Sequence, residues 1–218
     1  SREVVVSVFP KSIAESYESA FSDAGLTALS FEIEGSAIAR SVIPQNDNRT
    51  YMVVDIGAMR TGIIIVSGGA VYYSTTIDFG GSVLSDAIQS HLNISADEAE
   101  ALKHEGAFSR QGEYRDFFPA LLEACSPLQE EINKHYVYWH NHSDKKDCTP
   151  PPIEKVILCG SDADLEGLAE HLTLSLRSPV EIANVWVNAF SADTYIPPIP
   201  FNRSLAFATA TGLALRFN

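Results

Sequence analysis

Positive charge is scarce in this chain. Lys and Arg number 15 against 28 Asp and Glu, which leaves a net charge of −13 over 218 residues. That balance argues against nonspecific binding to nucleic acid or anionic lipid, because both need a positive surface. Cysteine is scarcer still. Cys125, Cys148 and Cys159 show no paired spacing, so no disulfide framework is expected and a reducing compartment is. No apolar run approaches the roughly 20 residues that span a bilayer. The opening SREVVVSVFP lacks the charged, apolar, small-residue order of a signal peptide. No G-x-S-x-G elbow supports a Ser-His-Asp hydrolase. In HYVYWHNHSDKKDC, the metal-ligand types His135, His140, His142, Asp147 and Cys148 lack the regular spacing of a zinc site and read as a helix tail entering a polar linker.

What is present is the balance of a globular protein, with 45% apolar and 20% charged residues. EVVVSVFP reads as a buried strand that begins almost at residue 1, so the first residues are expected to be the cut edge of something longer. Ser12 reads as the N-cap of a helix that ends at Gly25, LTALSFEIE as a second strand, and GSAIARSVI as a short helix stopping before Pro44. QNDNR is a polar loop, and the main lobe boundary is placed there. YMVVDI, TGIIIVSG and AVYYSTTIDF follow as three strands joined by short Gly-containing turns, the pattern of an antiparallel meander. SVLSDAIQSHL predicts a helix, and Ser95 caps the next, ADEAEALKHEG. Residues 119–140 predict a long amphipathic helix with Leu121, Leu122, Leu128, Ile132 and Tyr136 on its apolar side. After a solvated linker, VILCG is a short buried strand, LEGLAEHLTLSL a helix, PVEIANV another strand or extended segment, and LAFATATGLALRF an apolar closing helix. Antiparallel strands followed by helices alternating with single strands predict an α/β mixed sheet flanked by helices.

One stretch stands out. MVVDIGAMRTGIIIV puts an acid and two glycines inside an otherwise buried strand pattern. Two structures fit it. One is a tight hairpin in which Gly supplies φ > 0 and Asp bonds its own turn. The other is a phosphate loop, in which bare backbone approaches an anion and the acid holds a hydrated metal.

Several ordered pieces carry a resemblance. VDIGAMRT, IDFGGSVLSDAI, EAEALKHEG, VILCGSDADLEGLAEHL, FATATGLALR and DAGLTALSFEIEGSAIAR together resemble the actin-like ATPase family of bacterial assembly machines. The likeness is closest to its PilM-type pilus assembly members, and the FtsA division proteins are more distant. It covers nearly the whole chain in the family's order. It implies an actin-like, ribonuclease-H-like nucleotide-binding lobe with a partial first lobe: residues 1–50 a remnant of the first lobe, 51–203 the second lobe, and 204–218 a closing helix returning to the first. Two departures stand beside it. The family's first phosphate loop is expected before residue 1, and the adenosine loop opens with Cys159-Gly160 followed by Ser161 where two glycines are usual.

The resemblance also implies a site. Asp55 would hold Mg²⁺ through water, the arrangement magnesium prefers, beside ATP or ADP. Gly57 would let backbone N–H groups approach a phosphate, Thr61 would add a hydroxyl donor, and Arg60 would add charge-assisted bonds. Gly81 would abut the ribose, Glu100 would accept from its hydroxyls, Lys103 would flank the base, and Gly160 and Ser161 would line the adenine slot. The thiol of Cys159 would crowd that slot. No catalytic residue is assigned, because phosphoryl transfer needs clamps on both sides of the γ-phosphate and the chain supplies one. The expected activity is at most a weak ATPase, with no turnover and weak or no ATP binding from this stretch alone. The function implied is a cytoplasmic scaffold of a type IV pilus or related secretion platform. It would be held at the inner face of the cytoplasmic membrane by partners, chiefly the cytoplasmic tail of a PilN-like membrane protein docked on the first lobe, without nucleic acid and without inserting into the membrane itself. The alternatives are a fragment of an actin-fold metabolite or sugar kinase and an FtsA-like division protein.

Overall fold

The computed structural model describes residues 6, 8–106, 118–141, 150–191 and 193–217. Its centre is a five-stranded mixed sheet in the order β3-β2-β1-β4-β5. β1 (Thr50–Ile56), β2 (Thr61–Ser67) and β3 (Ala70–Ile77) form the antiparallel meander expected from the two glycine turns. β4 (Ile153–Cys159) then lies parallel to β1, and β5 (Val180–Ile182) lies parallel to β4. The parallel step needs a crossover, which helix α6 (Leu168–Leu176) supplies.

Burial follows position in the sheet. Met52, Val53 and Val54 of central β1 are fully buried, the continuous apolar run of a strand covered on both faces. β3 at the edge alternates between half-buried and exposed. The register pair Ile64 and Ser74 faces α2 (Glu34–Val42), where a Cβ on Gly35 would meet both side chains. The next pair along, Ile65 and Tyr73, faces the other way, and the Tyr73 ring packs 5.2 Å from His135 of α5 (Phe118–Asn141). Helices therefore cover both faces. α3 (Gly81–Leu92) and α4 (Ala96–Gly106) pack together, and α3 also leans on α5.

Ser95 caps α4 as expected, through a reciprocal box: its Oγ accepts from the Glu98 N–H at 3.3 Å while the Glu98 carboxylate accepts from the Ser95 N–H at 2.9 Å. Other readings need correction. Helix α1 spans Lys11–Asp23 with Pro10 at its N-cap, so Ser12 lies inside the helix and does not cap it. LTALSFEIE forms no strand, and among the described residues no strand pairs with it; most of its residues are exposed. In EVVVSVFP, residues 3–5 and 7 lie outside the described residues, and Val6, Val8 and Phe9 are exposed and outside any strand. The end of the chain is also not one helix. α7 (Phe201–Ser204) and α8 (Ala208–Ala214) are separated by a 3₁₀ turn over Leu205–Phe207, and a second one follows at Leu215–Phe217.

α8 packs on α2 at backbone contact. A Cβ on Gly212 would run into the Ala37 backbone, so only glycine permits this approach. The contact is clamped by charge. Arg40 donates to both Glu32 oxygens, at 2.8 and 2.7 Å, and to the Gly212 carbonyl at 2.7 Å, while Arg216 reaches Glu32 at 2.6 Å. The Arg40 bonds hold the Glu32 carboxyl below its usual range despite partial burial.

Candidate functional site

The C-terminal ends of β1 and β4 meet in register at Asp55 and Cys159, and the turns that leave them build a cleft. The first turn runs from Gly57 to Arg60 and is closed by the Gly57 N–H donating to the Arg60 carbonyl at 2.9 Å. The start of α3 is bonded onto it. Gly81 N–H donates to the Gly57 carbonyl at 3.0 Å and Ser82 N–H to the Ala58 carbonyl at 2.9 Å. Gly80 is sterically required there, since a Cβ would collide with the Ala58 carbonyl. The second turn, after β4, is anchored by Asp162 N–H donating to the Ile56 carbonyl at 3.0 Å. At φ +98°, Gly160 combines a left-handed backbone with a contact against Ile56 that no side chain could make.

At the mouth of the first turn, Asp55 is largely buried and has no cation beside it among the described residues. Its Oδ1 accepts from the Cys159 thiol at 3.7 Å. Burial, reinforced by the negative charge of Glu34, pushes the Asp55 carboxyl up to about 6, against the opposing effect of the thiol. Burial and the charge of Asp55 in turn push the Cys159 thiol well above its usual range, leaving it an inert, buried group. Cys159 therefore packs under Asp55, its thiol donating to that carboxylate. Arg60 is exposed at the turn, 3.7 Å from the equally exposed Asp78. Thr61 corrects another expectation. It is buried, and its hydroxyl is committed to the Phe79 carbonyl at 2.8 Å.

The other end of the cleft is crowded with charge. Lys103 is 1% exposed, and its ammonium sits 2.5 Å from Asp162, 2.8 Å from Glu100 and 3.4 Å from the Gly81 carbonyl. Asp162 is 3% exposed, and its second oxygen accepts from the Ser161 hydroxyl at 2.8 Å. Glu100 also accepts from Ser85 at 2.5 Å, with His104 at 3.3 Å. Burial acts against ionised Glu100, but the Lys103 and Ser85 bonds outweigh it and lower its carboxyl. Glu100, His104 and Asp162 have the composition of a metal site, yet the Lys103 ammonium already sits among them. Over Gly81 there is no free space: a Cβ there would overlap the Asp162 carboxylate.

The structure thus brings Asp55, Gly57, Gly81, Glu100, Lys103, Gly160 and Ser161 to one cleft from four separate stretches of sequence. It does not leave the buried Lys103 ammonium open to a ligand, because Asp162, Glu100 and the Gly81 carbonyl surround it, while Ser161 is exposed with its hydroxyl donating to Asp162. Sequence reasoning missed Asp162. In GSDADLEG it is one of three acids, and the signal that could have found it is Lys103, a cation four residues after the buried Ala99 of the same helix.

Among the described residues no helix is long and apolar enough to cross a membrane. The family model described as Type IV pilus assembly protein PilM matches residues 1–218. A solved structure titled as the PilM-PilN type IV pilus biogenesis complex is similar at 23% identity and a TM-score of 0.70, covering 93% of this chain and 57% of that one. MreB 5 of Spiroplasma citri bound to AMPPNP is similar at 15% identity and a TM-score of 0.71, covering 95% and 64%. The ethanolamine utilization protein EutJ from Carboxydothermus hydrogenoformans is similar at 21% identity and a TM-score of 0.62, covering 93% and 60%. The chain therefore spans less than two thirds of the length of each. Likeness at these identities establishes the fold, an actin-like α/β lobe around a mixed sheet.

Proposed function

The chain belongs to the type IV pilus assembly protein PilM family, and from that premise we propose that it works as a cytoplasmic scaffold of a pilus or related secretion platform, docking the tail of a PilN-like membrane protein. The match of the family model along all 218 residues carries this reading. Residues 1–50 and the closing segment would belong to the first lobe and residues 51–203 to the second. α1, α2 and α8 would then belong to the first lobe. Beside α2 lies a groove of mixed lining, in which Ile33, Val66 and Val71 stand with Arg40, Asp47 and Asn188. A groove that mixes apolar and polar groups suits an extended peptide, which takes affinity from backbone bonds and register from pockets.

The cleft would serve nucleotide binding in the whole protein, weakly. Its phosphate end fits a magnesium-bearing ligand: Asp55 is a largely buried carboxylate with no cation beside it among the described residues, and a bound ion would supply one, with Gly57 and Arg60 beside it. Magnesium would contribute charge neutralisation there. The sugar end does not fit, because Asp162 occupies it.

Calorimetry tests the scaffold reading. The full-length protein is titrated with a synthetic peptide copying the cytoplasmic tail of the PilN-like protein of the same organism. Micromolar binding, about 8 kcal/mol, is expected, with loss on Val71→Asp in the groove. A flat trace with the unmodified protein overturns it.

A further inference from the structure

A buried carboxylate that neutralises a buried ammonium is ordinarily a structural pair. This one stands in an unusual place. Asp162 projects over Gly81, the residue whose missing side chain leaves room above the start of α3, and it fills that room. Its two oxygens are both engaged, one with Lys103 at 2.5 Å and the other with the Ser161 hydroxyl at 2.8 Å. Its backbone is tied to the end of β1 through Ile56, so the side chain is delivered from a fixed point. Lys103 is thereby neutralised from two directions, by Asp162 inside and by half-exposed Glu100 outside.

We infer that Asp162 is an internal occupant of the cleft, a carboxylate that takes the space over Gly81 and the charge of Lys103 that a nucleotide's sugar end would otherwise use. The inference rests on the reading of this cleft as nucleotide-type. The pair Asp162–Lys103 bridges the β4 turn to α4, the span a nucleotide would otherwise bridge. A nucleotide entering at this end must displace the carboxylate, break the ion pair and find a new partner for a buried ammonium. Each of these opposes binding. The cleft is a built structural joint, and nucleotide is a competitor for it.

The test uses the full-length protein, unmodified and as Asp162→Gly and Asp162→Asn, titrated with ATP–Mg²⁺ and separately with adenosine. Asp162→Gly opens the space, while Lys103 keeps Glu100 and the Gly81 carbonyl as partners. We expect Asp162→Gly to bind ATP–Mg²⁺ at least tenfold more tightly than the unmodified protein. Adenosine should gain as well, since the obstruction is at the sugar end. Asp162→Asn keeps the bulk but frees the charge, and it should fall between the two; it also reads the point if Asp162→Gly fails to fold. Binding of the PilN-like tail peptide should be the same in all three. Equal ATP affinity across the three proteins, including no binding in any of them, overturns the inference and leaves the scaffold reading untouched. So does a structure of the unmodified protein with nucleotide bound and Asp162 still on Lys103. Loss of tail binding in the unmodified protein would sink the scaffold reading alone.

Discussion

The two ends of the cleft bury one acid each and treat them in opposite ways. Asp162 has its cation built in, with the ammonium of Lys103 at 2.5 Å and both groups almost fully inside. Among the described residues Asp55 has only a weak thiol donor and a neighbouring negative charge, and its carboxyl is pushed up to about 6. An acid paired in the interior has its desolvation offset by its partner, and breaking the pair strands a buried charge. An unpaired one costs something to keep at neutral pH and is relieved by a proton or a metal. One end of the cleft is thus finished by the chain itself, while the other is left with a charge to be answered.

The largest effect should come from stranding the paired acid. Lys103→Met keeps the volume of the side chain and removes its charge, leaving Asp162 buried with only Ser161 as donor. We expect a loss of about 3–5 kcal/mol in urea denaturation at pH 7. Adding Asp162→Leu to Lys103→Met should recover most of it, because the double replacement leaves no uncompensated charge. A loss under 1 kcal/mol for the single variant would mean that the pair is not a joint of the fold.

Asp55 should respond with the opposite sign. Its carboxyl is near 6 in the folded protein and near 4 when unfolded. The folded state therefore binds the proton more tightly, and the stability from that proton is present below about pH 4 and lost as pH rises to 6. Asp55→Asn removes the cost of the buried charge. It should raise stability by about 1–3 kcal/mol at pH 7 and change nothing at pH 4. Denaturation curves for variant and parent at the two pH values check this, and a variant less stable at pH 7 would show that Asp55 already has a cation partner in solution.

This contrast was half legible in the sequence. The run of β-branched residues into Asp55-Ile56-Gly57 marks a strand ending at an acid, and the meander and the parallel β4 follow from local pattern and topology. Asp162 was not legible, because its role depends on Lys103 arriving from a helix 59 positions earlier in the chain. LTALSFEIE misled for a related reason. Alternation records which face a strand would bury, and it cannot supply the neighbour that makes it a strand. The closing segment misled differently: small apolar residues suit a helix, but the 3₁₀ turn at Leu205–Phe207 breaks it, where the Leu205 carbonyl accepts from Gly160 N–H at 3.1 Å.

A smaller effect should follow at the paired end when its second donor is removed. Ser161→Ala leaves one Asp162 oxygen without the hydroxyl at 2.8 Å while the ion pair survives. We expect a loss of about 1 kcal/mol, the usual net value of one such bond. The ATP affinity of this variant should move little, since the carboxylate still fills the space over Gly81. A gain as large as that of Asp162→Gly would place the obstruction in the serine.

The smallest effect concerns the neighbour of the unpaired acid. Glu34 raises the Asp55 carboxyl second only to burial, but it is exposed at the start of α2, where water and salt weaken its reach. Glu34→Gln should therefore lower the midpoint of Asp55, followed by carboxyl-carbon NMR, by only a few tenths of a pH unit. Raising the ionic strength of the parent protein should do the same, and the two treatments should not add, because they remove one interaction. Burial is untouched by either and keeps the midpoint above the ordinary range of an aspartate. If Glu34→Gln instead returned Asp55 to near 4, charge and not burial would hold it up. The two ends of the cleft would then differ in their neighbours more than in their solvation.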